Sequence, residues 1–226
     1  MQDIRDRMVA EVAKGRTFVD IGGLYGIVRE RASIAHQAGA KHVSLMDMEP
    51  PSCPWWAEMD QHLRGRGVSE FSLLSRDIHD YKGPRFDVVF SSGVLYHVPD
   101  PLGYLRQVVE MANEYCIVAS TICPAVMEMP EGTVRVPEAG TLFIPALDGT
   151  ERAVVEAFMH RHGRPGFMTG AGTRDFRNYY PNWWLPTKDA FVAMCRVAGI
   201  EVMHHDYIET DVPVGYAVLG KVVRQP

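Results

Sequence analysis

The heptapeptide Asp20-Ile-Gly-Gly-Leu-Tyr-Gly26 constrains this chain more than any other stretch. It follows the short apolar run Phe18-Val19, which reads as the end of a buried strand. It also opens a segment, Leu24 to Ala38, whose apolar residues Leu24, Ile27, Val28, Ile34, Ala35 and Ala38 fall on helical spacing. The spacing therefore predicts a strand, a glycine-rich turn and a helix N-terminus. Glycines let a backbone approach a ligand closely, and free amides at a helix start supply donors to an anionic or nucleotide-like group. A tight strand-to-helix turn with no ligand would carry the same residues, so the rest of the chain has to decide.

Downstream, strand and helix patterns alternate. A short amphipathic helix carrying Ile4, Met8, Val9 and Val12 precedes the glycine turn. Val43 to Met46 reads as a second strand ending at Asp47, with Glu49 two residues on. Pro50, Pro51 and Pro54 break the chain before a helix from Trp55 to Leu63. Phe71 to Leu74 is a third strand running into Ser75-Arg76-Asp77-Ile78. Phe86 to Phe90 is a fourth, running into Ser91-Ser-Gly-Val-Leu-Tyr-His97. Asp100 followed by Pro101 is a cap-plus-proline helix start, and Cys116 to Ile122 is a fifth strand. Such alternation predicts a parallel sheet with helices on both faces.

The rhythm breaks at Cys123-Pro124. From there to about residue 182 the chain is rich in Pro, Gly, Met and aromatics without clean periodicity, which reads as a cap inserted into the sheet domain. Regularity returns with Thr187 as a helix cap, Phe191, Met194, Cys195 and Ala198 on one face, and Gly199 as the stop. Ile200 to Tyr207 and Val214 to Val223 then read as an antiparallel hairpin at the sheet edge. A length of 226 residues suits one α/β domain with an elaboration, core about 16–122 and 187–223.

This order of motifs resembles the class I S-adenosylmethionine-dependent methyltransferases. The resemblance implies a Rossmann-like, seven-stranded, mostly parallel sheet with an antiparallel C-terminal strand and the ligand at the C-terminal strand ends. It implies S-adenosyl-L-methionine as cofactor, with S-adenosyl-L-homocysteine as product. Asp20, Gly22, Gly23, Tyr25 and Gly26 match the family's first motif. Leu24 departs from it, standing where a glycine is usual. Asp47 stands where the family holds the ribose hydroxyls, with Glu49 as the rival carboxylate. Asp77 and Ile78 stand at the adenine, with Asp80 as the rival, and Ser92 and Gly93 begin the segment lining the transfer site. The first motif by itself also suits NAD, but the Tyr-His-Val-Pro-Asp-Pro segment and the hairpin ending argue against a dehydrogenase.

An oxygen or nitrogen acceptor must lose a proton when it is methylated. His97, just after the fourth strand, is the candidate base, because imidazole titrates near neutrality. Packing or positioning is its alternative role, and Tyr96 either orients the acceptor or packs. Substrate choice is expected in the cap, where Tyr179, Tyr180 and Trp183 offer faces for a sugar or planar group, and Arg174 and Arg177 suit a carboxylate or phosphate. The rings could equally be the cap's own core. Trp55 and Trp56 either face the same cleft or anchor a helix.

The segments Val94-Leu-Tyr-His97 and Trp183-Trp-Leu-Pro-Thr-Lys188 also look like enzymes that modify the wobble uridine of tRNA. A net charge of −5 and the compact aromatic cap favour a small-molecule acceptor over nucleic acid. A sugar, glycoside or other natural product is the expected class, with oxygen as the acceptor atom. A third reading, a cofactor-binding module without catalysis, has only Leu24 behind it. His160, His162, His204 and His205 come with no carboxylate spacing of a metal site, so no metal is expected. The four cysteines show no paired spacing, and the N-terminus lacks an apolar signal core. Reduced thiols, a cytoplasmic protein and no membrane segment are expected. A homodimer through the cap or the first helix stays open.

Overall fold

A computed structural model of the chain describes residues 3–24, 27–167, 182–209 and 212–224. Its first helix, α1 (Ile4–Val12), is capped by Asp3, whose side chain accepts the Arg5 amide, and buries Met8, Val9 and Val12. Strands β1 (Thr17–Ile21), β2 (His42–Asp47), β3 (Phe71–Ser75), β4 (Phe86–Ser92) and β5 (Ala112–Thr121) pair in parallel. Strands β10 (Ile200–Glu209) and β11 (Val212–Val222) close the sheet, with β11 antiparallel to both β10 and β5. The order is β10-β11-β5-β4-β1-β2-β3, with the crossover between β1 and β4. The ligand of an open parallel sheet sits at such a switch point, beyond the C-terminal strand ends.

Strand alternation divides the core in two. Val19, Ile21, Met46, Val89 and Val118 face one layer, packed on α4 (Pro101–Met111) and α6 (Lys188–Val197) through Leu105, Val108, Phe191 and Cys195. Phe18, Val43, Leu45, Val88, Phe90 and Ile117 face the other, on α1, α2 (Ala32–Gln37) and α3 (Trp55–Gly65) through Met8, Val9, Ala35, Met59 and Leu63. The α4 start forms as expected, with Asp100 accepting the Gly103 amide and Pro101 in the first turn.

Two expectations need correcting. Leu24 to Ala38 is not one helix: a single 3-10 turn at Ile27–Arg29 precedes α2, which begins only at Ala32. The linking residues are held by side chains instead. Asp20 accepts the Arg31 amide at 2.7 Å, and buried Glu30 accepts the Ser33 amide at 2.8 Å. The stretch without periodicity is also not irregular throughout. It carries a hairpin of β6 (Val126–Met129) and β7 (Gly132–Arg135), and the helix α5 (Gly149–Arg161). A further strand, β8 (Thr141–Phe143), pairs with β9 (Trp184–Pro186). Asp148 and Glu151 form a complete capping box for α5, a signal present in the sequence. These elements share a core of their own, including Met127, Val134, Ile144, Val154, Val155, Phe158 and Leu185.

Candidate functional site

The ends of β4, β1, β2 and β3 lie side by side, and short hydrogen bonds tie the loops that leave them. Asp20, near the end of β1, is 2% exposed. Burial pushes its carboxyl up to about 7; the Arg31 amide works against that shift and the neighbouring Glu30 adds to it. The next residues form a tight cradle. Gly22 has φ +77°, which strongly favours glycine, and its amide bonds the Met46 carbonyl at 2.8 Å. A Cβ on Gly22 would come within 2.4 Å of the Val94 side chain, and one on Gly23 within 3.1 Å of the Asp20 carboxylate. At Gly22 the space is taken, while at Gly23 the Asp20 carboxylate would have to give by a few tenths of an ångström.

Leu24 does not disturb this turn. Every described residue with positive φ is glycine, so Leu24 keeps an ordinary negative φ. Its side chain is buried in the α1–α3 layer, and its amide donates to Asp47 Oδ2 at 3.3 Å. Asp47 Oδ1 accepts the Glu49 amide at 3.2 Å. The two oxygens of Asp47 thus take long bonds from the Leu24 and Glu49 amides and a weaker one from the Met48 amide, which still leaves lone pairs for other donors. Burial raises the Asp47 carboxyl, opposed by the Glu49 and Leu24 amides. Among the described residues no hydrogen bond ties the Glu49 carboxylate to the glycine turn. The Glu49 carbonyl instead receives the Ser75 hydroxyl at 2.6 Å.

Beyond β3, Asp77 caps a 3-10 turn, Ile78–Asp80, by accepting the His79 amide at 2.8 Å. Ile78 is 7% exposed and part of the core, whereas Asp80 is exposed. Met48, between Asp47 and Glu49, is 53% exposed, an apolar side chain left open at the strand ends.

At the end of β4, Ser92 accepts Arg5 Nη1 at 3.1 Å, and Gly93 has φ +80° with its amide on the Ala119 carbonyl. Leu95–His97 is a 3-10 turn, which sets the Tyr96 and His97 rings 4.3 Å apart. The Tyr96 phenol is pushed up by burial, with Arg164 and a Thr121 hydrogen bond pulling the other way. It is therefore a neutral donor at physiological pH and not a base. The Tyr96 carbonyl accepts the Trp183 amide at 2.7 Å, so the β8–β9 ribbon is fastened to this segment. Phe143 stacks on Trp183 and meets Trp184 at a tilt, and Trp184 Nε1 reaches the Pro99 carbonyl at 3.0 Å.

Asp20, Gly22, Gly23, Asp47, Asp77, Ile78, Ser92, Gly93, Tyr96, His97 and Trp183 all belong to these strand-end loops or to the ribbon joined to them. Tyr25, Gly26, Arg174, Arg177, Tyr179 and Tyr180 lie outside the described residues. Trp56 turns out to be an anchor: it is 8% exposed and its Nε1 bonds the Pro50 carbonyl at 3.1 Å. Met48, Arg5 and Arg31, at the same strand ends, carry no sequence signal, and Val94, inside the expected Ser92–His97 segment, gives no sign of its contact with Gly22. Exposure, a contact to glycine and ion pairs to distant partners reveal them, and none of these leaves a sequence pattern. Among the described residues, no group of three or more His, Cys, Asp and Glu could hold a metal, and no helix is long and apolar enough to cross a membrane.

No protein-family model and no curated protein matches the chain. Solved structures do. A 1,6-didemethyltoxoflavin-N1-methyltransferase of Burkholderia thailandensis, bound to 1,6-didemethyltoxoflavin and S-adenosylhomocysteine, matches at 13% identity and TM-score 0.57, over 99% of this chain and 80% of that one. A magnesium protoporphyrin IX methyltransferase of Synechocystis with bound S-adenosylhomocysteine matches at 13% identity and TM-score 0.58, over 97% and 83%. The N-methyltransferase NodS of Bradyrhizobium japonicum matches at 10% identity and TM-score 0.55, over 98% and 94%. Likeness at such identities speaks for architecture, and it agrees with the strand order and the antiparallel last strand: the chain has the fold of the class I S-adenosylmethionine-dependent methyltransferases.

Proposed function

We propose that the chain is an S-adenosylmethionine-dependent methyltransferase acting on an oxygen of a small molecule. One observation carries the reading: a glycine cradle walled by Val94 lies between two buried or half-buried carboxylates, Asp20 and Asp47, whose oxygens, among the described residues, accept only backbone amides. A vicinal diol brings two donors to Asp47 and an ammonium brings a charge to Asp20, so the residues present fit this cofactor. Asp77 is the acceptor for an adenine amino group, and Met48 with the edge of Ile78 supplies apolar contact for the ring. When bound, the cofactor supplies an electrophilic methyl group for in-line displacement.

The rest is the work of the chain's own residues. His97 takes the acceptor's proton. Its Nδ1 is shielded from solvent, which leaves Nε2 as the reaching atom. Tyr96, a neutral phenol, orients the acceptor by donating a hydrogen bond. Trp183, with Arg174, Arg177, Tyr179 and Tyr180, selects the acceptor. The net charge of −5 favours a small molecule over RNA. Two of the similar structures named above are methyltransferases of 1,6-didemethyltoxoflavin and of magnesium protoporphyrin IX, which supports the small-molecule class without choosing the atom. A cytoplasmic location goes with this reading.

Methyl-labelled cofactor, offered with a panel of hydroxylated sugars, glycosides and phenols and with bulk tRNA, tests it. Label should pass to a small molecule, and His97→Ala should slow the transfer by about a hundredfold or more without weakening cofactor binding. Labelling confined to tRNA, with binding that falls steeply in salt, would replace the acceptor class. Cofactor binding with no turnover on any acceptor would leave a non-catalytic binding module.

A further inference from the structure

The N-terminal helix is bonded to the candidate site across 87 residues of sequence, through Arg5 and Ser92. We propose that Arg5, seconded by the Ser92 hydroxyl, recognises the carboxylate at the amino-acid end of the cofactor. This deepens the S-adenosylmethionine reading and rests on it.

The case begins with donors left over. A guanidinium has five N–H groups. Arg5 Nε lies on Asp3 Oδ1 at 3.0 Å, Nη2 on Asp3 Oδ2 at 2.5 Å, and Nη1 on Ser92 Oγ at 3.1 Å. Among the described residues, one N–H remains on each terminal nitrogen. Ser92 Oγ is the acceptor in its bond with Arg5, so its own proton is free to be donated. A cation and a hydroxyl thus meet at the end of β4, one residue before Gly93, with spare donors suited to a carboxylate.

The arrangement is also rigid. Arg31, with a side chain 8% exposed, pairs with Asp3 at 2.8 Å and with Asp6 at 2.7 Å, while its backbone amide holds Asp20. Asp3 is therefore gripped by two guanidiniums, and Arg5 cannot swing away from Ser92 without breaking that grip. Helix α1 does not need this network in order to dock, since Met8, Val9, Val12 and Ala13 already bury its apolar face. Bringing two guanidiniums and two carboxylates out of water is costly, and paired charges often stabilise no more than apolar residues would. The arrangement makes sense if it aims a charge. Arg5 and Ser92 form a positive pole and Asp20 a negative one, and an amino-acid end carries both complementary charges.

Calorimetric titration with S-adenosylmethionine and with its decarboxylated analogue, which keeps the ammonium and the sulfonium, separates this role from a structural clamp. The unaltered chain should prefer the carboxylated ligand. Arg5→Met should weaken it by about tenfold to a hundredfold, and leave the decarboxylated ligand within about twofold of its starting affinity. Arg5→Lys should restore part of the loss, and Ser92→Ala should cost only the carboxylated ligand, by about threefold to tenfold. Should Arg5→Met not fold, the last two variants carry the test. Equal weakening of both ligands, or equal affinity of the unaltered chain for both, overturns the proposal and leaves the cofactor reading standing. Binding of neither ligand overturns the cofactor reading itself.

Discussion

Asp20 and Asp87 sit at opposite ends of the neighbouring strands β1 and β4, and they titrate in opposite directions. Asp87 begins β4 at the N-terminal edge of the sheet. Burial alone would raise its carboxyl, but the amide and hydroxyl of Thr17, the Asn113 side chain and the charge of Lys41 hold it at about 2. Asp20, at the C-terminal edge, is pushed up to about 7 by burial, with one backbone amide as its hydrogen-bond donor and Glu30 adding repulsion. The fold satisfies the first carboxylate from its own residues. Among the described residues it gives the second a single backbone amide, beside a cradle in which a Cβ on Gly22 would clash with Val94. The fold's own residues account for Asp87; the ammonium of the proposed cofactor would give Asp20 a further partner beside the charges of Arg31 and Arg5.

The sharpest way to break this contrast is at the glycines flanking the two ends. Gly22→Val would drive a side chain into Val94 at a backbone angle that disfavours it, so affinity for S-adenosylhomocysteine should fall more than about a thousandfold, with no binding heat at micromolar concentrations. Next comes the pH dependence of Asp20. Its folded pKa lies above the unfolded value, so the folded state holds the extra proton, and stability from this group is present at low pH and lost as pH rises from about 4 to 7. Asp20→Asn should therefore raise stability above pH 7, by at most about 4 kcal/mol, and the gain should vanish near pH 4 in denaturant titrations.

Asp87 has the opposite sign. Its folded pKa is depressed, so its contribution is present above about pH 4 and lost as pH falls toward 2. Asp87→Asn should destabilise the neutral protein by about 1 kcal/mol, since partial exposure screens the effect, and cost nothing in acid. The smallest effect belongs to Gly15, at the far end from the site, where φ is +72° but nothing lies within 4 Å. Gly15→Ala should cost about 1 kcal/mol of stability from backbone strain and leave ligand affinity unchanged. A fall in affinity would mean that the two ends are coupled.

The sheet was legible because its strands end in signals a sequence can carry: Asp20 before the glycine turn, Asp47 before the proline break, and Asp100-Pro101 at a helix start. The helix expected right after the glycine turn begins only at Ala32, since Leu24 has helical spacing yet packs as a turn residue, and Asp20 and Glu30 hold the backbone in between. Helix α5 is announced by Asp148 and Glu151 and by the helical spacing of Val154, Val155, Phe158 and Met159, a local pattern readable inside a stretch otherwise broken by prolines and glycines. The Arg5–Ser92 and Arg31–Asp3 contacts join residues 87 and 28 positions apart, and spacing cannot encode them. Sequence periodicity reports which face a residue turns inward. It is silent on which distant charge that residue meets.

The central claim is that the strand-end carboxylates hold S-adenosylmethionine, and titration of S-adenosylhomocysteine into the unaltered chain and into Asp47→Ala tests it most directly, with NAD run in parallel. Micromolar binding that weakens about a hundredfold on losing Asp47, with an unchanged melting temperature and no response to NAD, is the predicted result. Binding of NAD alone, or S-adenosylhomocysteine affinity indifferent to Asp47, would contradict it.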